Sequence, residues 1–265
     1  MIKVCVATCA YRGWRGDELE ETLKDAADAG YRFIEIQGST VTKLIEEGEG
    51  GLKELRKMLK GARLIAVAVY GPAFGGLTDE EARVGAAKIA RFLDAAEWLG
   101  CGVYVSSDGG RTGAPWGIKN IITTLRCLES KVEETGIRIA LEPHLHNNIE
   151  QISDYNQIFK EITNPKMGIC IDTGHFHSAE VNVPLLVAKY PDRIFHVHLK
   201  DHKGLQPMPL GQGETDNLGC VRALKKVGYN GYLSVEMEIG PPYKAETPRY
   251  VREARIYTEN LIKQA

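Results

Sequence analysis

Short apolar runs alternate with amphipathic segments along the whole chain. Eight runs rich in Val, Ile, Leu and Ala predict β-strands, at residues 2–8, 33–38, 64–71, 103–107, 137–144, 167–172, 194–200 and 232–238. Apolar residues at helical spacing predict helices at 17–29, 52–60, 79–99, 117–135, 153–162, 182–190, 216–227 and 247–263. The strand runs rarely alternate with polar residues, which is typical of parallel strands covered by helices on both faces.

Residues at the ends of the predicted helices support this division. Thr78 is a candidate N-cap for the helix at 79–99, and Glu81 would complete a capping box. Several predicted helices end in a glycine just before a strand, and glycine readily adopts the left-handed backbone that stops a helix. These glycines are Gly30, Gly100, Gly136 and Gly228.

Eight strand–helix units without a long Gly/Ser/Pro-rich linker predict one α/β domain over residues 1–265, a closed single-domain (β/α)8 TIM barrel. An open doubly wound sheet is the alternative. A dinucleotide-binding sheet of that kind would carry a GxGxxG loop after its first strand, and "ATCAYRGWRGDE" contains none.

Composition narrows the class of protein. The 265 residues are 43% hydrophobic and 26% charged, with a formal net charge of −2, which argues against nucleic acid as the partner. The start lacks the pattern of a signal peptide and the longest apolar run is too short to span a bilayer, so we expect no membrane association and a cytoplasmic protein. The six scattered cysteines are expected to be small, mostly buried residues in a reducing compartment.

The last four predicted strands each end in a residue that can bind a metal: Glu142, Asp172, His198 and Glu236. In a barrel, side chains at the carboxyl ends of the strands converge on one mouth. Three carboxylates and one imidazole suit one divalent ion, with Mn²⁺ or Mg²⁺ favoured, Co²⁺ or Fe²⁺ as alternatives, and Zn²⁺ fitting less well. One cation would also compensate all the carboxylates that the apolar strands would bury.

Five stretches carry a family resemblance over nearly the whole chain: "LEPH", "DTGH", "RIFHVHLKD", "LGQGETD" and "GYNGYLSVEME". They resemble the sugar isomerase/epimerase superfamily with the xylose-isomerase-like barrel, which includes tagatose and psicose 3-epimerases, hydroxypyruvate isomerase, inosose dehydratase and zinc apurinic endonucleases. The resemblance implies that Glu142, Asp172, His198 and Glu236 are metal ligands and that His175 contacts substrate. It also implies a homo-oligomer, a dimer or tetramer.

The first function that this resemblance implies is isomerisation or epimerisation of a small ketose or keto-sugar. Glu142 and Glu236 match the two catalytic glutamates that remove and return the proton next to the carbonyl, through a metal-stabilised enediolate. The chain departs from that pattern after the seventh strand, where "HLKDHKGLQPMPLGQGE" has no arginine. This departure weakens a strict epimerase assignment.

The alternative is a keto-sugar lyase or dehydratase that works by β-elimination and that could need a partner subunit. "HVHLKD" and "LEPHLHNN" are similar to the inosose dehydratase side of the superfamily. Lys200 could then hydrogen-bond a substrate oxygen. His144 could act as the acid or base on a leaving group, or it could orient a metal ligand.

The sequence also gives expectations for the other aromatic and histidine residues. Trp116 is expected in the substrate pocket, whereas Trp14 could belong to a pocket, a lid or an interface. His146 is expected in a loop. His177 and His202 are expected to support the site or face solvent, and His196 is expected on the opposite side of its strand from His198, against a helix.

Two further classes of function are weighed against the sequence. Endonuclease relatives need more zinc-binding histidines after the third and fourth strands, where this chain has Tyr70 and Ser106-Ser107 instead. A binding subunit with a vestigial site would be favoured by broken ligands, and all four are intact.

Overall fold

Eight parallel strands close into a barrel in the computed structural model, which describes residues 1–14, 19–241 and 243–265. The first seven barrel strands are β1 (Lys3–Ala7), β2 (Phe33–Gln37), β3 (Ile65–Tyr70), β4 (Val103–Ser106), β5 (Arg138–Leu141), β6 (Met167–Asp172) and β7 (Ile194–Leu199). A short antiparallel hairpin of β8 (Asp201–Lys203) and β9 (Gln206–Met208) follows outside the barrel. The eighth barrel strand is β10 (Tyr232–Val235). β1 pairs with both β2 and β10, which closes the ring and confirms the predicted single-domain TIM barrel.

Helices follow the strands and cover the outside of the barrel. They are α1 (Leu19–Asp28), α2 (Gly38–Glu46), α3 (Glu49–Ala62), α4 (Asp79–Leu99), α5 (Gly117–Thr135), α6 (Ile152–Glu161), α7 (Thr173–Ser178), α8 (Val183–Lys189), α9 (Asn217–Lys226) and α10 (Thr247–Gln264). The predicted start of the first helix, at residues 17 and 18, lies outside the described residues. None of the helices in the described chain has the long apolar stretch that a bilayer crossing needs.

Local signals explain where α4 begins and ends. Thr78 Oγ1 accepts a hydrogen bond from the backbone N–H of Glu81, as predicted for an N-cap. The Glu81 carboxylate accepts from the N–H of Leu77 rather than from Thr78, so the predicted capping box is one residue out of register. Gly100 ends the helix with φ 79°, a conformation that costs glycine little.

The sequence pattern does not predict α2, α7 or the β8–β9 hairpin. α2 buries Val41 and Ile45, one turn apart, directly after β2. α7 begins where the Asp172 carboxylate accepts a hydrogen bond from the N–H of His175 at 2.8 Å. The "DTGH" segment is therefore a helix start that fixes a candidate ligand and His175 together.

Two apolar clusters build the core. The larger packs the strands against the surrounding helices. The smaller comprises Ala68, Val103, Val105, Ala140, Cys170 and Phe195. Ala140 and Cys170 lie two residues before Glu142 and Asp172, on the same inward face, so this apolar layer supports the barrel mouth from below.

Candidate metal centre

Four candidate ligands converge at the carboxyl end of the barrel. Glu142 follows β5, Asp172 ends β6, His198 lies near the end of β7 and Glu236 follows β10. One ligand atom of each lies within 4.8 Å of the others, and all four residues are buried. The strand register contributes directly, because Asp172 is paired with His198 across β6 and β7.

The Nδ1 atom of His198 lies among carboxylate oxygens. Glu142 Oε1 is 2.5 Å away, Glu236 Oε2 is 2.8 Å away and Asp172 Oδ2 is 4.0 Å away. Burial alone would lower the pKa of His198, but Cys170 and the surrounding carboxylates raise it well above its usual value. A ring nitrogen donates only one proton, so it cannot satisfy three oxygens, whereas a cation can contact several at once.

Lys200 places a side-chain ammonium group among these carboxylates. Its Nζ atom lies 3.1 Å from Asp172 Oδ2, 3.3 Å from Glu236 Oε2 and 2.9 Å from Glu238 Oε2. Burial lowers the pKa of Lys200, but Asp172 and the neighbouring carboxylates raise it well above its usual value. Lys200 is 2% exposed and therefore acts as a buried positive charge within the centre.

The residues fit a divalent cation. Asp172 Oδ2 and Glu236 Oε2 are buried and accept no hydrogen bond from the described residues, although both lie near Lys200. Buried carboxylate oxygens without hydrogen bonds are costly unless a cation compensates them. A divalent cation and Lys200 together would neutralise the charge of the three carboxylates, and the neutral His198 ring would bind that cation through the Nδ1 lone pair.

Two histidines lie beside the centre. His144 Nε2 is 3.0 Å from Glu142 Oε2, and the rings of His144 and His175 stack with centroids 4.0 Å apart. Burial lowers the pKa of His175 to about 4, whereas for His144 burial is outweighed by Glu142, which raises the pKa. His175 Nε2 is buried and has no hydrogen-bond partner among the described residues.

Tyr70 and Cys9 contact the centre although the sequence predicts no role for them there. The Tyr70 hydroxyl donates to Glu142 Oε2 at 2.8 Å, and Cys9 Sγ donates to Glu236 Oε1 at 2.7 Å. Tyr70 stands at a strand end, a position that could have identified it. Cys9 lies in a 3-10 turn after β1, where the sequence carries no comparable signal.

Glu238 and Arg12 extend the centre towards solvent. Glu238 Oε1 accepts from Arg12 Nη1 at 2.8 Å, while its other oxygen contacts Lys200. Lys200 lowers the pKa of Glu238 to about 2. Arg12, in the loop after β1, therefore reaches the edge of the centre through Glu238, a contact that sequence order does not reveal.

Below the centre, His196 and His198 both contact Glu35 of β2. His196 Nε2 lies 2.8 Å from Glu35 Oε2, and both histidines are fully buried. The prediction that His196 faces away from His198 is wrong. Side chains two residues apart in a strand point to the same face, so both rings lie inside the barrel.

Trp116 is not joined to the four candidate ligands by any hydrogen bond, ion pair or ring contact among the described residues. It is 43% exposed and lines a cavity of about 540 Å³ among the loops after β3, β4 and β5, together with Phe74 and Asn148. Its role in the substrate pocket stays a prediction. Trp14 packs on Tyr11 with ring centroids 5.7 Å apart.

The remaining histidines differ in their surroundings. His146 is in a turn with φ 66° and an exposed ring, which confirms the predicted loop position. His177 lines a separate cavity of about 270 Å³. His202 is buried, with Nδ1 2.8 Å from Ser178 Oγ and its ring edge against His175, so it supports the site.

Comparison with known proteins places the chain in a family. The model described as "Xylose isomerase-like TIM barrel" matches residues 23–259, so the chain belongs to that family and the predicted resemblance is confirmed. The inosose dehydratase of Lacticaseibacillus casei is 25% identical over 281 residues, covering 93% of this chain and 85% of that protein.

Two solved structures share the fold over almost their whole length. The IolI protein with a bound zinc atom superposes with a TM-score of 0.83 at 19% identity and covers 99% of both chains. The Escherichia coli 3-keto-D-glucoside 4-epimerase YcjR superposes with a TM-score of 0.79 at 20% identity, over 98% of this chain and 100% of that one. At these identities the likeness shows the fold alone.

Proposed function

We propose that this member of the xylose isomerase-like barrel family is a divalent-metal-dependent enzyme that removes the α-proton of a keto-sugar and eliminates water from it. The observation that carries the proposal is the buried cluster of Glu142, Asp172, His198 and Glu236 at the barrel mouth. From the sequence alone, isomerisation or epimerisation is the favoured reaction. Similarity to inosose dehydratases over 93% of the chain reverses that order.

A divalent cation held by the four ligands would supply a Lewis acid that polarises the substrate carbonyl and makes the neighbouring C–H acidic. We favour Mn²⁺ or Mg²⁺ for this oxygen-rich set, while the zinc in the IolI structure keeps Zn²⁺ among the candidates. The ligand roles and the identity of the metal are both part of the proposal.

Different residues of the chain carry out the two proton transfers. Glu142 and Glu236 face the centre from β5 and β10, and one of them accepts the α-proton. His144, in contact with Glu142, donates a proton to the leaving hydroxyl, which departs as water. Lys200 and His175 hold substrate oxygens, Lys200 as a buried positive charge and His175 through its unpartnered Nε2.

Epimerisation is the second candidate, and two glutamates on different sides of one centre favour it. Glu142 and Glu236 both reach the Nδ1 atom of His198, from strands separated by β6 and β7 in the ring. Such an arrangement can remove a proton on one side of a substrate carbon and return it on the other. Both candidates share the first step and differ only in the fate of the intermediate.

Elemental analysis tests the site. Glu142→Gln/Asp172→Asn should lose the metal that the wild-type protein retains through purification. The control is Asp94→Asn/Glu133→Gln, which removes two acids whose side chains are 54% and 58% exposed. Equal metal contents in the wild type and the first double variant would contradict the proposed centre.

Incubation with keto-sugars in D₂O, including an inosose, distinguishes the reactions. A dehydratase gives an ultraviolet-absorbing unsaturated ketone, whereas an epimerase or isomerase puts deuterium on one carbon without loss of water. Neither product from the metal-loaded protein would favour a binding subunit. The homo-oligomer, the partner subunit and the cytoplasmic location stay predictions.

A further inference from the structure

The candidate ligand His198 has a second contact, on the side of its ring away from the centre. Its Nε2 atom lies 2.9 Å from Glu35 Oε1 and 3.0 Å from Glu35 Oε2. Glu35 is 1% exposed and comes from β2, on another part of the barrel wall. The imidazole is thus held between the cluster of ligands at Nδ1 and one carboxylate at Nε2.

We propose that Glu35 is a positioning residue for the metal centre, which accepts the Nε2 proton of His198 and so directs the Nδ1 lone pair to the metal. A neutral imidazole has one N–H, and only the other nitrogen can bind a metal. A carboxylate that accepts the N–H fixes the tautomer and the ring orientation. The inference rests on the metal site of the proposed function and identifies what orients its single nitrogen ligand.

Glu35 is itself held in place by two other donors. His196 Nε2 lies 2.8 Å from Glu35 Oε2, and the Ser234 hydroxyl donates to the same oxygen at 2.8 Å. These contacts hold a Glu35 side chain that is 1% exposed inside the barrel. A buried charge with this many partners is both tolerated and rigid.

The same three residues do not form a good second metal site. Glu35, His196 and His198 bring three ligand atoms together. A metal there would require His198 to bind two cations through both ring nitrogens, with no ring proton left. It would also compete with the Ser234 hydroxyl for Glu35. A hydrogen-bonded carboxylate explains the same contacts without a second cation.

Nitrogen NMR of the intact protein tests the tautomer. Wild-type protein labelled with ¹⁵N-histidine and loaded with Zn²⁺, a diamagnetic ion, should show a His198 ring with its proton on Nε2 and no proton on Nδ1. One zinc should bind per chain. A proton on Nδ1 with metal at Nε2, or two zinc ions per chain, overturns the inference.

Zinc affinity, measured by competition with a chelator, tests the role of Glu35. Glu35→Gln keeps the shape of the side chain but replaces one acceptor oxygen with an amide group that donates. We expect it to lower the affinity for zinc roughly 10- to 100-fold. Glu133→Gln makes the same change at a carboxylate that is 58% exposed and paired with Lys166, so its affinity for zinc should stay near that of the wild type.

The possible failures are distinguishable. If wild-type protein binds neither Zn²⁺ nor Mn²⁺, both this inference and the proposed function fail. If wild-type protein binds zinc and Glu35→Gln binds it equally well with the same Nε2–H signal, only the role of Glu35 fails. Should Glu35→Gln not fold, the wild-type spectrum still decides, because it reports the tautomer without any substitution.

Discussion

Replacing Lys200 with methionine removes a buried positive charge from the centre while keeping most of the side-chain volume. Its Nζ atom lies within 3.3 Å of oxygens from Asp172, Glu236 and Glu238. Removing one partner of a buried ion pair costs about 3–5 kcal/mol, because the remaining charge is left uncompensated. We therefore expect metal-free Lys200→Met to be less stable than wild type by about that amount.

Thermal and urea unfolding of the metal-free protein measure this effect. For domains of roughly this size each 1 kcal/mol shifts the Tm by about 2–4 °C, so the variant should melt roughly 6–20 °C lower. Mn²⁺ should restore part of the loss, because it neutralises the same carboxylates and stabilises the folded state that binds it. Lys203→Met is the matched control, since Lys203 is exposed on the same segment.

Metal affinity gives an independent readout of the same substitution. Without the repelling ammonium group, Lys200→Met should bind Mn²⁺ more tightly than wild type while turning over keto-sugar more slowly. Equal unfolding free energies for Lys200→Met and Lys203→Met would refute the view that the carboxylates depend on Lys200 for compensation.

Three further predictions concern residues around the centre. Because Lys200 holds the pKa of Glu238 at about 2, this carboxylate stabilises the fold above its unfolded pKa, and that contribution is lost as the pH falls towards 2. Metal-free wild type should therefore lose more stability in urea between pH 5 and pH 3 than Glu238→Gln, and equal losses would contradict the assignment. Asp108 accepts hydrogen bonds that join the loops after β4 and β5. Asp108→Ala should therefore lower the free energy of unfolding in urea by roughly 3 kcal/mol. The exposed control Asp94→Ala should lower it by under about 0.5 kcal/mol. His144→Gln should lower turnover about 10²- to 10⁴-fold without lowering bound metal, and an unchanged rate would remove His144 from the mechanism.

The barrel could be predicted from the sequence because its evidence is local. Each apolar run of strand length is followed by a helical pattern, and a glycine such as Gly100 or Gly136 marks where a helix stops. The bounds of α4 and α5 agree with the prediction residue for residue. α7 escaped prediction because six residues are too few to show a helical repeat, and its start depends on the Asp172 side chain.

The approach of the candidate ligands could also be predicted, because parallel strands bring their carboxyl ends to one rim. Glu142, Asp172, His198 and Glu236 each lie at such an end, and the structure brings them together. The sequence also contains what is needed to place His196 correctly, because residues two apart in a strand share a face and His196 must therefore point the same way as His198.

What the sequence by itself determined is the barrel and the rim residues that face its mouth, because both follow from periodicity and from the direction of neighbouring strands. Only the tertiary structure decided the partners of those residues. Glu35 is separated from His198 by 163 positions, and in β2 it resembles the solvent-facing polar residue of any amphipathic strand. Cys9, Tyr70 and Arg12 are likewise far along the chain from the carboxylates they contact. Closure of the ring fixes which side chains meet across its interior, and that depends on the register of all eight strands together.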